Sequence, residues 1–202
     1  MLALKPITLH GTLTALEPLI ESHRDALYAA AQDETIWMHS GSTALGDRFH
    51  RWFDKALTCS QSQQHLPFII RRQADKKIIG STRFYDIAPE HHRLTIGYTW
   101  YLPEVWGSFA NPECKLLLLQ HAFEDLQANR IEFVTDARNS RSRAAIKKLG
   151  AKEEGILRQH MILENGFVRD SVIFSIIQSE WPDIKSNLSV RVETFKQEHT
   201  PK

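Results

Sequence analysis

The chain has 202 residues with 25 Lys+Arg against 24 Asp+Glu, a formal charge of +1, which excludes a polyanion binder because phosphate contacts need a basic excess or stripe. At 42% apolar and 24% charged residues the composition is globular rather than disordered, and at about 150 residues per domain the length makes one domain with a tail. Two cysteines, Cys59 and Cys114, are too few for a disulfide scaffold or a thiolate zinc cage; no apolar run reaches the ~18 residues of a membrane span, and Met1 to Leu13 lack a secretory pattern, so a cytoplasmic location is expected.

Ile7 to Leu16 is β-branched and partly alternating, which predicts an opening strand. Ile20, Ala26, Leu27, Ala30 and Ala31 fall at helical spacing and predict a helix over Ile20 to Gln32. Thr35 to Gly46 sets a short apolar cluster (Ile36, Trp37, Met38) in polar, glycine-bearing sequence and reads as a loop. Asp47 is positioned to cap a second helix whose Phe49, Trp52, Phe53, Ala56 and Leu57 form one stripe. From Leu66 the period becomes strand-like. Leu66 to Arg72 and Lys77 to Tyr85 are two strands around a charged turn, and Arg93 to Leu102 is a third, with Leu94, Ile96, Tyr98 and Trp100 on one face. Their short connections make an antiparallel meander, which Pro103 ends because it offers no N–H to a ladder.

Asn111 and Pro112 then read as an N-cap and first helical residue, opening a helix to about Gln127 with Leu116, Leu119, Phe123 and Leu126 on one stripe. Ile131 to Ala137 is a strand, and Ser140 to Leu149 a helix that Gly150 stops. Glu154 to Leu163 and Phe167 to Ile177 form a hairpin around Glu164-Asn165-Gly166. Trp181-Pro182 ends the sheet, giving a domain over 1–182 and a polar amphipathic helix or tail over 183–202. The expected fold is α/β: a single mixed, mostly antiparallel sheet with helices on both faces.

Two segments carry chemistry. In Tyr98 to Lys115 a strand ends, a turn with Gly107, Ser108 and Ala110 follows, and a helix begins. Helix N-terminal amides and the positive end of the helix dipole converge there, which suits a phosphate or pyrophosphate. Asp136 to Gly155 repeats the pattern of strand, polar cap, short helix and Leu-Gly. Within it, Asn139 to Gly155 resembles the asparagine-serine-helix-Leu-Gly-Ala motif of the GNAT acyltransferases, in the branch of ribosomal-protein N-terminal acetyltransferases that modify alanine or serine. Trp106 to Lys115 with the following Leu-Leu-Leu-Leu-Gln-His-Ala-Phe is similar to that branch's pyrophosphate loop and central helix, and Gly166 to Ile176 to its last strand.

That resemblance, over roughly Ile7 to Pro182, implies a cleft for acetyl-CoA between two parallel strands that splay apart, here Arg93 to Leu102 and Ile131 to Ala137. It implies pantetheine pairing with backbone around Trp100, Tyr101 and Leu102, and pyrophosphate on the amides of Gly107, Ser108, Phe109, Ala110 and Asn111. Asn139 and Ser142 are implied contacts to the pantetheine or adenine side, and backbone N–H near Tyr101 is implied to polarise the thioester carbonyl. The chain departs from the pattern twice: Phe109 stands where glycine is usual, and Ile146 where many members carry a tyrosine acid. Ser142 is then the first candidate to protonate the leaving thiolate, with water, or departure of the thiolate unaided, as the alternatives. Glu104, just past the splayed strand, is the first candidate for general base, with Asp136 and His160 behind it.

Several residues read as structural. His91 and His92, taken as neighbours on a strand, point to opposite faces and do not share a metal, so none is expected. Asp170 is expected to be a buried structural carboxylate paired with an arginine such as Arg158, and Trp37, Trp52 and Phe53 read as core. The function expected is an acetyl-CoA-dependent N-acetyltransferase acting on a protein or peptide N-terminus, or on a small amine or polyamine. The competing readings are an acyl-CoA-binding protein without turnover and a nucleotide-phosphate module, the latter without a Gly-x-Gly-x-x-Gly or Walker loop. No nucleic-acid or membrane partner is expected. The last hairpin edge and the tail offer surface for a homodimer.

Overall fold

The computed structural model describes residues 5–38 and 43–199. One eight-stranded sheet runs through it in the order β1-β2-β3-β4-β5-β6-β8-β7. The strands are β1 (Leu9–His10), β2 (Thr14–Pro18), β3 (Leu66–Arg72), β4 (Ile78–Ala88), β5 (Arg93–Tyr101), β6 (Arg130–Asp136), β7 (Lys152–Ile162) and β8 (Val168–Ile177). Only β5 and β6 pair in parallel; all other neighbours are antiparallel. The helices are α1 (Arg24–Ala30), α2 (Arg48–Gln61), α3 (Ala110–Gln120), α4 (Ser140–Lys147) and α5 (Trp181–His199). One core lies between the sheet and α3, α4 and α5, centred on Phe84, Leu118 and Phe174. A second lies between the sheet and α1 and α2, centred on Leu27, Phe53 and Ile69. Helices therefore cover both faces, as the sequence order implies. Among the described residues no helix is long and apolar enough to cross a membrane.

The opening strand predicted over Ile7 to Leu16 is instead the hairpin β1–β2. Its turn is held by Glu113 of α3, whose buried carboxylate accepts hydrogen bonds from the Thr12 amide at 2.8 Å, the Leu13 amide at 3.1 Å and the Thr14 hydroxyl at 2.7 Å. A Cβ on Gly11 would stand 2.7 Å from the Glu113 carboxyl carbon, so only glycine admits this approach. The α2 stripe is as predicted, with Phe49, Trp52, Phe53 and Ala56 buried. Asp47 does not cap it: the residue is already helical, at φ −61° and ψ −20°, and makes no side-chain cap bond. The backbone carbonyls of Leu45 and Gly46 take the Arg48 and Phe49 amides in its place. Of the loop expected over Thr35 to Gly46, Glu34–Ile36 form a 3-10 turn, and residues 39–42 lie outside the described residues.

The meander β3–β4–β5 is as predicted, but its last strand does not keep one face. Ser81 pairs with Trp100 while Arg83 pairs with Gly97, so β5 carries one extra residue, a β-bulge at Tyr98, whose φ is +50°. A one-residue insertion flips every later side chain. Leu94 and Ile96 accordingly join the core under α3, and Trp100 joins the core under α2.

Four further readings are corrected. Helix α3 begins at Ala110, not after an Asn111 cap; the Ser108 hydroxyl accepts the Ala110 amide at 3.3 Å and donates to the Val105 carbonyl at 2.7 Å, which makes Ser108 the residue that organises the start. The helix closes through a π turn over His121–Asp125. His91 and His92 belong to a tight turn between β4 and β5 rather than to a strand. Asp170 does not pair with Arg158: it accepts the Gln159 amide at 2.7 Å, pinning a bulge where Leu157 pairs with Ser171 and Met161 with Arg169. The terminal segment is the helix α5, and its Trp181, Ile184 and Leu188 belong to the main core. Trp181 also stacks on Phe123 at 5.4 Å and donates to Glu124 at 2.8 Å.

Candidate active site

The parallel pair β5–β6 holds together for only three residue pairs, Arg93–Arg130, Leu94–Ile131 and Thr95–Glu132. Beyond them β5 stays bonded to β4 as far as Tyr101, and β6 to β8 as far as Asp136. The two strands diverge and leave a notch between 96–101 and 133–136. The bulge at Tyr98 supplies the extra twist that drives the strands apart.

Beneath the bulge, on the α3 side, a buried polar chain closes the sheet. Lys115 is 5% exposed, and its Nζ donates to the Thr99 hydroxyl at 2.8 Å, which meets the Thr82 hydroxyl at 2.8 Å. Burial pushes the Lys115 ammonium down to about 8.

The mouth of the notch is the connection from β5 to α3. A 3-10 turn over Pro103–Val105 leads to Gly107 at φ +73°, where a Cβ would meet nothing within 4 Å. Here glycine serves the left-handed backbone rather than a tight contact. Phe109 sits at φ −59° and ψ −25°, a conformation any L residue adopts, and its ring packs against the main core. The first turn of α3 presents leading amides without i−4 partners, and Pro112 removes one of them. Gly107 to Asn111 thus form a turn at a helix N-terminus, where the helix dipole favours an anion; the Ser108 amide there meets the Val105 carbonyl at 3.4 Å and the Ala110 amide the Ser108 hydroxyl at 3.3 Å.

Strand alternation turns the Leu102 N–H toward β4, where it donates to the Ile79 carbonyl at 2.8 Å, and leaves the backbone groups of Tyr101 on the notch side. The Tyr101 carbonyl accepts the Trp106 indole N–H at 2.9 Å. The Tyr101 hydroxyl, in the core, donates to Asn111 Oδ1 at 3.3 Å. Trp100, the third residue expected at the strand edge, is buried among Trp37 and Trp52, with ring centroids 5.5 and 6.4 Å away.

On the far lip, Asn139 caps α4 by accepting the Ser142 amide at 2.9 Å, which puts the half-buried Ser142 in the first turn of that helix. Arg141 lays its guanidinium 3.8 Å from the Trp106 ring centroid. That contact joins the two motif-bearing segments across the notch. Neither member was singled out from the sequence; an exposed tryptophan beside a phosphate-type loop was the available signal.

The base candidates lie apart. Glu104 is exposed on the 3-10 turn and bonds Lys77 at 3.0 Å and Arg72 at 3.1 Å, toward the β3–β4 turn. The Lys77 hydrogen bond holds its carboxyl below the usual range. Asp136 is buried and gives both oxygens to Arg138, at 3.0 and 2.7 Å, and that bond lowers it likewise. His160 meets the Ser171 hydroxyl at 3.0 Å on the outer hairpin. Trp37, Trp52 and Phe53 are core residues, as the sequence implies.

Comparison with known proteins agrees with this geometry. Residues 14–152 match the family model described as an acetyltransferase (GNAT) domain. The uncharacterized N-acetyltransferase YoaA of Bacillus subtilis is 31% identical over 118 residues, 58% of this chain and 66% of its own length. The chain spans under two thirds of the curated relatives it matches. Among solved structures, a GCN5-related N-acetyltransferase from Brucella melitensis superposes with a TM-score of 0.85 at 31% identity, covering 92% of this chain and 85% of that one. Mycobacterium smegmatis RimJ, solved with CoA-disulfide, shares the fold at a TM-score of 0.75 and 19% identity, covering 92% and 91%.

Proposed function

The chain belongs to the GNAT acetyltransferase family, and we propose that it transfers an acetyl group from acetyl-CoA directly to a primary amine, foremost the N-terminus of a protein or peptide. The observation that carries this reading is the notch that opens after three parallel pairs with a helix N-terminus at its mouth. It offers a strand edge and an anion cradle side by side, which a pantetheine diphosphate requires at once. A small amine or polyamine is the alternative acceptor.

Acetyl-CoA, when bound, supplies the thioester-activated acetyl group. The amides of Gly107, Ser108, Phe109, Ala110 and Asn111 hold its diphosphate once those of Ser108 and Ala110 exchange the Val105 carbonyl and the Ser108 hydroxyl for it, and the edge at Trp100, Tyr101 and Leu102 orients its pantetheine. Tyr101 contributes the backbone groups on that edge, and its carbonyl, which already accepts the Trp106 indole N–H, keeps a second lone pair for the pantetheine. The Tyr101 N–H polarises the carbonyl under attack. Asn139 spends its oxygen on the α4 cap and offers its amide nitrogen to the cofactor. The Ser142 hydroxyl donates the proton to the departing thiolate. Glu104, kept ionised by Lys77 and Arg72, receives the ammonium proton through water; the same ion pairs make it a weak base.

Thermal melting with acetyl-CoA, CoA and ATP tests the reading first. A rise of several degrees with both CoA species and none with ATP is expected, followed by thiol release with an amine panel. No rise with either CoA species overturns it. A rise without release for any amine replaces it with an acyl-CoA-binding protein.

A further inference from the structure

The α2 side of the bulge holds a cation that nothing described above uses. Arg83, midway along β4, is 2% exposed, yet its Nε and Nη2 have no hydrogen-bond partner among the described residues. Its Nη1 lies 3.3 Å from His65 Nδ1. The guanidinium carbon stands 4.1 Å from the Tyr98 ring centroid and 5.1 Å from that of Trp52, and Tyr85 meets Tyr98 edge-on at 5.1 Å. A buried arginine ordinarily faces a carboxylate. The groups that bear on this one are Tyr98, Cys59 and Tyr85, together with a His65 that burial and Arg83 itself push down to about 4 and so keep neutral. None of these side chains is a carboxylate.

The donors do not end with Arg83. Trp100 Nε1 and Thr95 Oγ1, on the neighbouring strand, are buried without partners among the described residues, as is Nε of Arg169 on β8. Arg169 and Tyr85 are close enough to act on each other. The carboxylate that bears on Arg169, Asp136, is spent on Arg138. An unsatisfied buried donor is costly, the more so when it is charged. The open donors of Arg83 are suited to a ligand that brings oxygen acceptors.

The position fits the same reaction. Arg83 pairs with Gly97, one residue from the bulge where the notch begins. The Arg83 backbone therefore lies one strand spacing, about 5 Å, from the strand that carries the Tyr98–Trp100 edge. The Tyr98 ring, 38% exposed, forms the outer cover of the guanidinium.

We propose that Arg83 binds a carboxylate carried by the acceptor, so that this enzyme selects amines with an acidic group close to the nitrogen. This rests on the acetyltransferase reading given above. The carboxylate takes the place of the Tyr98 ring, accepts from Nε and Nη2, and fixes the amine toward the notch. The same chemistry is offered by a free amino acid and by a peptide whose first residue is acidic.

CoA-saturated protein is titrated by calorimetry with two matched pairs, and the same pairs are assayed for thiol release from acetyl-CoA. The first is aspartate against asparagine amide; the second is C-terminally amidated Asp-Ala-Ala against Asn-Ala-Ala. In at least one pair the acidic member is expected to bind, and to turn over in kcat/KM, tenfold or more better, and the responding pair identifies the source. Arg83→Met brings the acidic member to the level of its neutral twin and leaves CoA affinity within twofold, while Arg83→Lys restores part of the preference. Equal binding of both members of both pairs by the unmodified protein overturns the proposal, whether or not either variant folds. Thiol release absent with every amine overturns the acetyltransferase reading instead, and the calorimetric pairs still decide whether Arg83 takes a carboxylate.

Discussion

Lys115 and Arg83 are buried on opposite faces of the same β-bulge, each without a carboxylate partner among the described residues, and the two faces treat them differently. Below, Lys115 donates into a closed chain of threonine hydroxyls. Above, Arg83 meets aromatic rings and leaves two nitrogen donors unbonded. A guanidinium is weakly hydrated and stacks on rings, so it endures such a box better than an ammonium would. The closed chain is a structural solution. The open one is poised for a guest, and on one strand pair the bulge separates a floor from a binding face.

The largest effect comes from a buried charge that is fully bonded. Glu113→Ala strips the β1–β2 turn of its acceptor, leaves three donors unbonded and is expected to cost about 2–5 kcal/mol in chemical denaturation; a loss below 1 kcal/mol would remove the distinction between bonded and unbonded buried groups.

Lys115→Met sharpens the floor. Because the folded group titrates at about 8 and an unfolded lysine near 10.4, the native state sheds its proton first. The penalty is complete below pH 8 and fades as pH rises above it. The unmodified protein should therefore gain on Lys115→Met by at most about 1.4 kcal/mol per pH unit above pH 8. Cys114, pushed by burial up to about 12, lowers the stability of both proteins alike at high pH and drops out of the difference. Parallel stability curves for the two proteins would show the ammonium is not desolvated.

Glu104→Gln tests a carboxylate engaged with two cations in water. As a relay for the ammonium proton it should lower kcat by about 10- to 100-fold with the acetyl-CoA affinity unchanged; an unchanged kcat assigns Glu104 to the surface ion pairs alone. The smallest effect is expected at the far lip. Asn139→Ala removes the α4 cap for about 1 kcal/mol, read as a lower melting temperature, and should weaken CoA binding more than acceptor binding.

What the sequence discloses follows from how far each determinant reaches. The α2 stripe, the β3–β5 meander and the Asn165-Gly166 hairpin are written in neighbouring residues, and they stand as read. The motif segments locate the notch because a strand end, small residues and a helix start are adjacent in the chain. The β1–β2 turn escapes because its acceptor, Glu113, is 99 to 101 positions away. Ser108 outcompetes Asn111 as organiser of α3 because the Val105 carbonyl is within reach of its hydroxyl, a matter of loop shape. Arg83 is illegible for a plainer reason. A charged residue in an alternating strand reads as solvent-facing, and only the extra residue at Tyr98 and the packing of α2 enclose it.

The contact between Trp106 and Tyr101 has an optical consequence. Four of the five tryptophans are buried, and Trp106 alone is 36% exposed, its ring under the Arg141 guanidinium and its N–H on the Tyr101 carbonyl. Its emission is therefore red-shifted from that of the others. A molecule that pairs with the Tyr101 carbonyl either shares it with this indole or displaces it, so the chain carries a fluorophore beside the notch that senses its occupancy without a label.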